Sequence, residues 1–236
     1  MRRFYAQLQN ISDKDILLDD EESKHLSRVL RLQIGDGVEV VDGEGQLYKA
    51  EVAEISKRSC RLNILETKKS NESTIKLWMA VAPTKNLNRW EWFLEKATEI
   101  GIGRISPILC QRSERKVLKI DRQLRILREA MKQSQRLYLP HLDEMMDFQS
   151  LIEKSKDFEG KKYIAHCEEG NKELLKNLHQ SNENALILIG PEGDFHPDEI
   201  SMAEANDFKA ISLGESRLRT ETAAIAACHT ITLINA

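Results

Sequence analysis

Apolar and polar residues alternate through the first third of the chain. Tyr48, Ala50 and Val52 are separated by charged residues, and Cys60, Leu62 and Ile64 are separated by Arg61 and Asn63. A period of two predicts strands with one buried face. Val38–Val41, the turn Asp42-Gly43-Glu44-Gly45 and a second arm from Gln46 to Ile55 predict a hairpin. Ahead of it, Asp19-Asp20-Glu21-Glu22 opens a short helix, its acids at the positive end of the helix dipole. His25, Leu26, Val29 and Leu30 then share one face, with Arg28 and Arg31 beside them. Residues 1–70 therefore read as a small β-rich domain. The wholly polar run Glu66–Thr74 reads as a linker to a second domain over 74–236.

Past the linker the period changes. Apolar runs at Ile75–Ala82, Arg104–Leu109, Tyr163–His166, Ala185–Ile189 and Lys209–Leu213 read as buried strands. Between them lie helical patterns. One is capped by Asn88 and presents Trp90, Phe93, Leu94, Ala97 and Ile100, stopping at Gly101 and Gly103. A second runs from Asp121 to Tyr138, with Leu124, Leu127, Met131 and Ser134 on one stripe and Arg125, Arg128, Lys132 and Arg136 on another. The last, Ala223–Ile234, is nearly all apolar or small, so it belongs inside the domain or between subunits. Strands alternating with helices predict an α/β fold with a mainly parallel sheet.

Two turns interrupt this pattern with glycine. Ile189 runs into Gly190-Pro191-Glu192-Gly193-Asp194, ahead of a helix opened by Asp198 or Glu199 after Pro197. Leu213 runs into Gly214-Glu215-Ser216-Arg217-Leu218-Arg219, ahead of a helix capped by Thr220 or Thr222. Ligands in open α/β sheets favour the carboxyl ends of strands, and glycine lets them approach the backbone. Each turn alone also reads as an ordinary corner.

Net charge is -3, which by itself argues against nucleic acid. The distribution changes that picture: residues 73–140 hold 14 Lys and Arg against 6 Asp and Glu, while 141–236 hold 9 against 18. A basic block in an acidic chain fits a local phosphate-binding face. Cys60, Cys110, Cys167 and Cys228 are scattered without a C-x-x-C pair, and the six histidines show no metal-ligand spacing. Free thiols in a reducing cytoplasm, and no metal, are expected. The sequence shows neither a membrane-length apolar run nor an apolar region behind Arg2-Arg3, so no span and no secretory signal are expected.

Taken together, Ile189-Gly-Pro-Glu-Gly193 and Leu213-Gly214…Arg217-Leu218-Arg219-Thr220-Glu221-Thr222-Ala223 resemble the RsmE family, SPOUT-class methyltransferases acting on N3 of a uridine in 16S ribosomal RNA. The resemblance extends through Arg2-Arg3-Phe4, His25-Leu26…Leu30-Arg31, Glu95–Gly101, Ser113-Glu114-Arg115 and Glu129-Ala130…Gln133-Ser134…Arg136. Asp194 departs from it, standing where the family usually has a third glycine. The resemblance implies a PUA-like β-barrel that grips RNA, followed by a SPOUT α/β domain with a C-terminal trefoil knot. It also implies S-adenosyl-L-methionine as cofactor, the small ribosomal subunit as partner, and a homodimer. His166, Ile189, Gly190, Glu192, Gly193, Leu213, Gly214 and Leu218 are then the cofactor-binding candidates. Arg217, Arg219, Glu192 and Glu221 are the catalytic candidates. Arg2, Arg3, Arg28, Arg31, Arg112, Arg115, Arg125, Arg128, Lys132 and Arg136 are the RNA-binding candidates. Two alternatives stay open: a SPOUT enzyme for another RNA such as tRNA, and a non-catalytic rRNA-binding assembly factor.

Overall fold

The computed structural model describes residues 2–56, 59–70 and 76–236. The expected strand start at Ile75 and the 71–74 end of the expected linker lie outside the described residues. The chain divides into two units, Met1–Glu72 with Arg128–Leu139, and Ser73–Leu127 with Pro140–Ala236.

The first unit contains β1 (Arg3–Tyr5), β2 (Asp15–Leu18), α1 (Asp20–Lys24), β3 (Gly37–Val41), β4 (Gln46–Ile55) and β5 (Cys60–Lys69). The sheet order is β1-β3-β4-β5-β2, with β1 parallel to β3 and the other pairs antiparallel. The alternation sends Tyr48, Ala50, Val52, Cys60 and Leu62 into one core with Phe4, Ile16, Leu18, Leu26, Val38 and Val40. Each large side chain buried there contributes roughly 1.5–3 kcal/mol. The helix expected over 19–30 comes in two pieces. Asp19 caps α1 by accepting from the Glu22 N–H at 2.9 Å. His25–Val29 then form a wider π-turn, closed by Leu30 N–H to His25 O at 2.9 Å. The wider turn rotates the face predicted by a 3.6 period. Leu26 is fully buried, but Val29 is 68% exposed instead of joining it.

The second unit contains β6 (Leu77–Val81), α2 (Leu87–Ile100), β7 (Arg104–Leu109) and α3 (Ile120–Gln133), whose last turns belong to the first unit. Then come β8 (His141–Leu142), β9 (Met146–Asp147), α4 (Phe148–Lys154), β10 (Lys161–Ala165), β11 (Glu173–Leu174) and α5 (Leu175–Leu178). β12 (Ala185–Ile189), α6 (Pro197–Glu204), β13 (Lys209–Ser212) and α7 (Thr220–Ile234) complete it. The strand order is β11-β13-β10-β12-β6-β7-β8, parallel in every pair among the described residues. Both faces are covered, as continuous apolar strands require. Trp78, Ala80, Leu186 and Leu188 pack with residues of α4 and α6, while α7 packs on β6, β12 and α2. The caps of α2 and α6 differ from the expected ones. Asn86, not Asn88, caps α2 by accepting from the Asn88 N–H at 3.0 Å. His196 caps α6, and Glu199 returns a bond to the His196 N–H at 2.9 Å.

The basic stripe on α3 is shorter and more fully paired than its sequence predicts. The helix ends at Gln133, and Gln135 takes a left-handed conformation, φ 61°. Arg136 N–H then bonds Met131 O at 3.0 Å, so Arg136 lies beyond the helix. Residues 128–139, which the linear reading gives to the second domain, join the first unit because Met131 packs with Tyr5 and Val41. Lys132 is nearly buried and bonds Glu22 at 2.5 Å and Glu129 at 2.7 Å. The Arg128 guanidinium lies 4.9 Å from the centre of the Tyr5 ring. These groups hold the fold, so a stripe of free cations facing phosphate is not what forms.

Burial raises the Glu22 carboxyl to about 7, against the pull of the Lys132 ammonium. A carboxyl raised in the folded state contributes stability at low pH that is lost as pH rises through the folded value. The wild type is therefore expected to lose on the order of 1–3 kcal/mol between pH 4.5 and 8 relative to Glu22→Gln. Paired denaturation midpoints across that range measure it; parallel curves contradict it.

Candidate functional site

β13, β10 and β12 lie side by side and parallel, so their carboxyl ends meet at one edge of the sheet. The segments leaving them, His166–Cys167, Gly190–Asp194 and Ser212–Arg219, wall a cavity of about 700 Å³. That volume is in the range of small-molecule and cofactor sites. β12 supplies a rigid floor because all five of its residues are buried. Of the residues singled out from sequence, His166, Ile189, Gly190, Glu192, Leu213, Gly214, Arg217, Leu218 and Arg219 all line the cavity.

Two do not. Gly193 faces the other way: its carbonyl accepts from Arg112 Nη1 at 3.0 Å, and a Cβ there would fall 3.4 Å from the Arg112 Cβ. Glu221 is buried in the first turn of α7, 3.7 Å from Arg89 Nε, and is absent from the cavity wall. Its charge suits the positive end of that helix, the structural alternative to catalysis. Thr220 and Thr222 do not cap α7. Thr220 Oγ1 donates to Gly190 O at 3.1 Å, tying the start of the helix to the end of β12, and Thr222 is exposed.

The loop after β12 is held from several sides. Asp194 N–H closes a turn on Pro191 O at 2.9 Å, and Asp194 itself is left-handed, φ 64°. A residue with a Cβ pays a small penalty there that glycine avoids. The carboxylate compensates: Oδ2 accepts from Cys167 N–H at 2.7 Å and Oδ1 from Phe195 N–H at 2.8 Å. The departure from glycine thus keeps the glycine-like backbone and adds a tie to the loop after β10. Glu192 Oε1 accepts from Lys85 N–H at 2.9 Å. Lys172, which the sequence reading did not single out, lines the cavity and donates to His166 O at 2.8 Å and Glu168 O at 2.5 Å. Its only sequence signal is a solitary cation after Glu168-Glu169.

The cavity has the features a nucleoside-bearing cofactor needs. His166 Nε2 is buried without a hydrogen-bond partner among the described residues. Burial, reinforced by the Lys172 charge, lowers the His166 pKa and keeps the imidazole neutral. Gly214 has φ +136°, and nothing lies within 4 Å of where a Cβ would sit, so the backbone is open to a ligand. Arg217 and Arg219 are exposed, and Leu218 between them is half-buried.

The RNA-binding candidates separate into two groups. Arg2, Arg28 and Arg31 are exposed on the first unit. The others have partners within the fold. Arg3 forks onto Glu39 at 2.8 and 3.2 Å. Arg112 spans Gly193 O and Phe195 O, and Arg115 spans Thr84 O and Lys85 O. Arg128 and Lys132 are engaged as described, and Arg125 and Arg136 also have partners.

Two family models match the chain: an RNA methyltransferase PUA domain over residues 18–65 and an RNA methyltransferase domain over residues 71–232. Ribosomal RNA small subunit methyltransferase E of Synechocystis sp. is 33% identical, covering 91% of this chain and 72% of its own. A probable rRNA-methyltransferase from Porphyromonas gingivalis has a crystal structure that superposes with a TM-score of 0.90 at 35% identity, covering 100% of this chain and 98% of its own. The ribosomal RNA small subunit methyltransferase E from Neisseria gonorrhoeae, solved bound to S-adenosyl methionine, gives a TM-score of 0.86 at 26% identity over 100% and 98% of the two chains. A PUA unit joined to a parallel α/β unit with its cavity at three strand ends, matched by these models and relatives, places the chain in the RsmE family of SPOUT RNA methyltransferases.

Proposed function

We propose that the chain transfers a methyl group from S-adenosyl-L-methionine to N3 of a uridine in 16S rRNA of the small ribosomal subunit. The observation that carries this reading is the cavity itself: three adjacent strand ends around open backbone, with Arg217 and Arg219 beside it. The cofactor, when bound, supplies an electrophilic methyl group. Everything else falls to the protein. Backbone at Gly190, Leu213 and Gly214, with the Leu218 side chain and His166 Nε2, holds the adenosine. Uracil N3 carries a proton in its neutral form, so the site must accept that proton and stabilise the anion. Arg217 and Arg219 stabilise negative charge on the uracil oxygens. Glu192 is the candidate acceptor, through the carboxylate oxygen that Lys85 N–H leaves free. Removing one such stabilising cation typically costs about 10²-fold in kcat. Arg219→Ala is therefore expected to slow methyl transfer by about that factor while cofactor affinity stays within twofold; equal losses in both contradict the assignment.

Arg2, Arg28 and Arg31 belong to the RNA grip in this reading. The threaded chain end and the homodimer of the family belong to it as well. The bond from Thr220 to Gly190 O supports the first, since the chain returns from β13 past the end of β12. The half-buried apolar Ile225 and Ala226 of α7 support the second. The test of the reading is methyl transfer from labelled cofactor to assembled small subunits, naked 16S rRNA and tRNA, with the product nucleoside identified. N3-methyluridine from the small-subunit substrate is expected. Label in tRNA, or on another atom, overturns the target; no label and no cofactor binding favour an assembly factor.

A further inference from the structure

The first unit has a cavity of its own, about 410 Å³, between β1, β3, the turn after α1 and the end of α3. Most of its charge is already matched: Arg3 forks onto Glu39 through Nε and Nη2, and Lys132 is held between Glu22 and Glu129. One cationic donor stays open, because Arg3 Nη1 is buried without a hydrogen-bond partner among the described residues. The rest of what the cavity presents is neutral: the exposed side chains of Gln133, Gln135 and His25 line it. The His25 ring is braced against the fully buried Phe4, centroids 6.0 Å apart at 64°.

Gln135 carries a second, independent sign. Its φ of 61° places it at the left-handed position that closes α3, where its N–H reaches Lys132 O and the next N–H reaches Met131 O. Glycine is the favoured residue at that position. Glutamine stands here against backbone preference, and strained residues of this kind cluster at functional sites.

We infer that this cavity binds one unpaired nucleobase of the RNA. A phosphate offers only acceptors: it would take up Arg3 Nη1 but meet the carboxylates of Glu39 and Glu129 and leave the two amides and the imidazole unused. A base edge offers donors and acceptors together, which two amides and an imidazole can read, and its flat face can stack on His25. Sequence-specific readers of RNA treat splayed-out bases in this way. The inference rests on RNA being the substrate, and it adds a base-reading site in the first unit.

The probes are four fluorescent homopolymeric single-stranded RNAs, their affinities measured by anisotropy over a salt series with the full chain. The wild type is expected to prefer one base. Gln135→Gly relieves the backbone and so leaves the fold intact; it and Gln133→Ala are expected to reduce that preference roughly tenfold, an energy change typical of lost base contacts, with the salt dependence unchanged. An unchanged preference in the variants overturns the base pocket. So does a loss shared equally by all four polymers with a shallower salt slope, which marks a phosphate site. A wild type with no preference, or with no RNA binding, overturns it too. Calorimetry with S-adenosylmethionine runs alongside: cofactor binding without base preference sinks only the base pocket, and base preference without cofactor binding sinks only the transferase reading.

Discussion

Gly190→Ala is expected to weaken S-adenosylmethionine binding by about 100-fold, equivalent to about 2.7 kcal/mol. A Cβ at this position would lie 3.0 Å from Phe195 Cδ2, 3.1 Å from Cε2 and 3.2 Å from the Phe195 backbone nitrogen. Phe195 cannot yield. It is fully buried and packs edge-on against Phe148, ring centroids 5.7 Å apart. The strain therefore passes into residues 191–195, which also hold the Asp194 bond to Cys167 N–H and the Arg112 bonds to Gly193 and Phe195. Two of the three cavity walls move together. Overpacking of this kind costs about 1–3 kcal/mol of stability, less than a domain of this size needs to stay folded. Calorimetric titration of the folded variant measures the effect, and an affinity within twofold of wild type contradicts it. Asp194→Ala removes the tie to Cys167 and the local bond from the Phe195 N–H without crowding Phe195, so its loss of affinity is expected to be smaller than that of Gly190→Ala.

The largest expected change in stability lies elsewhere. Asp143→Ala is expected to destabilise the second unit by about 3–5 kcal/mol, the range for removing one partner of a buried ion pair. Asp143 is only 6% exposed and accepts from Arg104 Nε at 2.8 Å, Arg104 Nη2 at 2.9 Å, Lys154 Nζ at 2.9 Å and Ser106 Oγ. Ser106 in turn accepts from Trp78 Nε1 at 2.7 Å, and the Arg104 guanidinium lies 4.0 Å from the Trp78 ring centre. Without the carboxylate, Arg104 is left as a half-buried cation and Ser106 loses its acceptor. Burial alone would raise the Asp143 carboxyl, but the bonds from Arg104, Ser106 and Lys154 hold it well below the usual carboxylate range. A depressed carboxyl contributes stability above its unfolded pKa and loses it only as pH falls through the folded value. The Asp143 contribution should thus persist through mild acid, where that of Glu22 is still changing. Urea unfolding of Asp143→Ala at neutral pH measures the effect. A shift under 1 kcal/mol contradicts it. Cofactor affinity of the folded variant should be unchanged, because the cluster sits on β7 and its neighbours, away from the cavity.

The parts legible in the sequence were those fixed by local pattern. Continuous apolar runs gave β6 and β12, since a strand covered on both faces needs no polar residue. Alternation gave β4 and β5. The glycine turns gave most of the cavity wall, because they follow strands that the parallel order brings to one edge. What stayed hidden depends on partners far along the chain. Nothing near Lys132 shows that Glu22, 110 positions away, neutralises it. The same holds for Arg112, which reads as a free cation until Gly193 and Phe195 arrive beside it. The π-turn at His25–Val29 displaced Val29 because a 3.6 period cannot anticipate an extra residue in the turn. Glu221 has two roles open to it from its place at the start of a helix, proton acceptor or dipole partner, and only the fold shows it buried in the first turn of α7 with Arg89 Nε 3.7 Å away.

S-adenosylmethionine is expected to occupy the cavity at the ends of β10, β12 and β13. Amide hydrogen exchange of the whole protein, with and without the cofactor, measures this. The expected result is slowed exchange in 166–172, 190–195 and 212–219, with the first unit unchanged. Protection confined to other segments, or none at saturating cofactor, contradicts it.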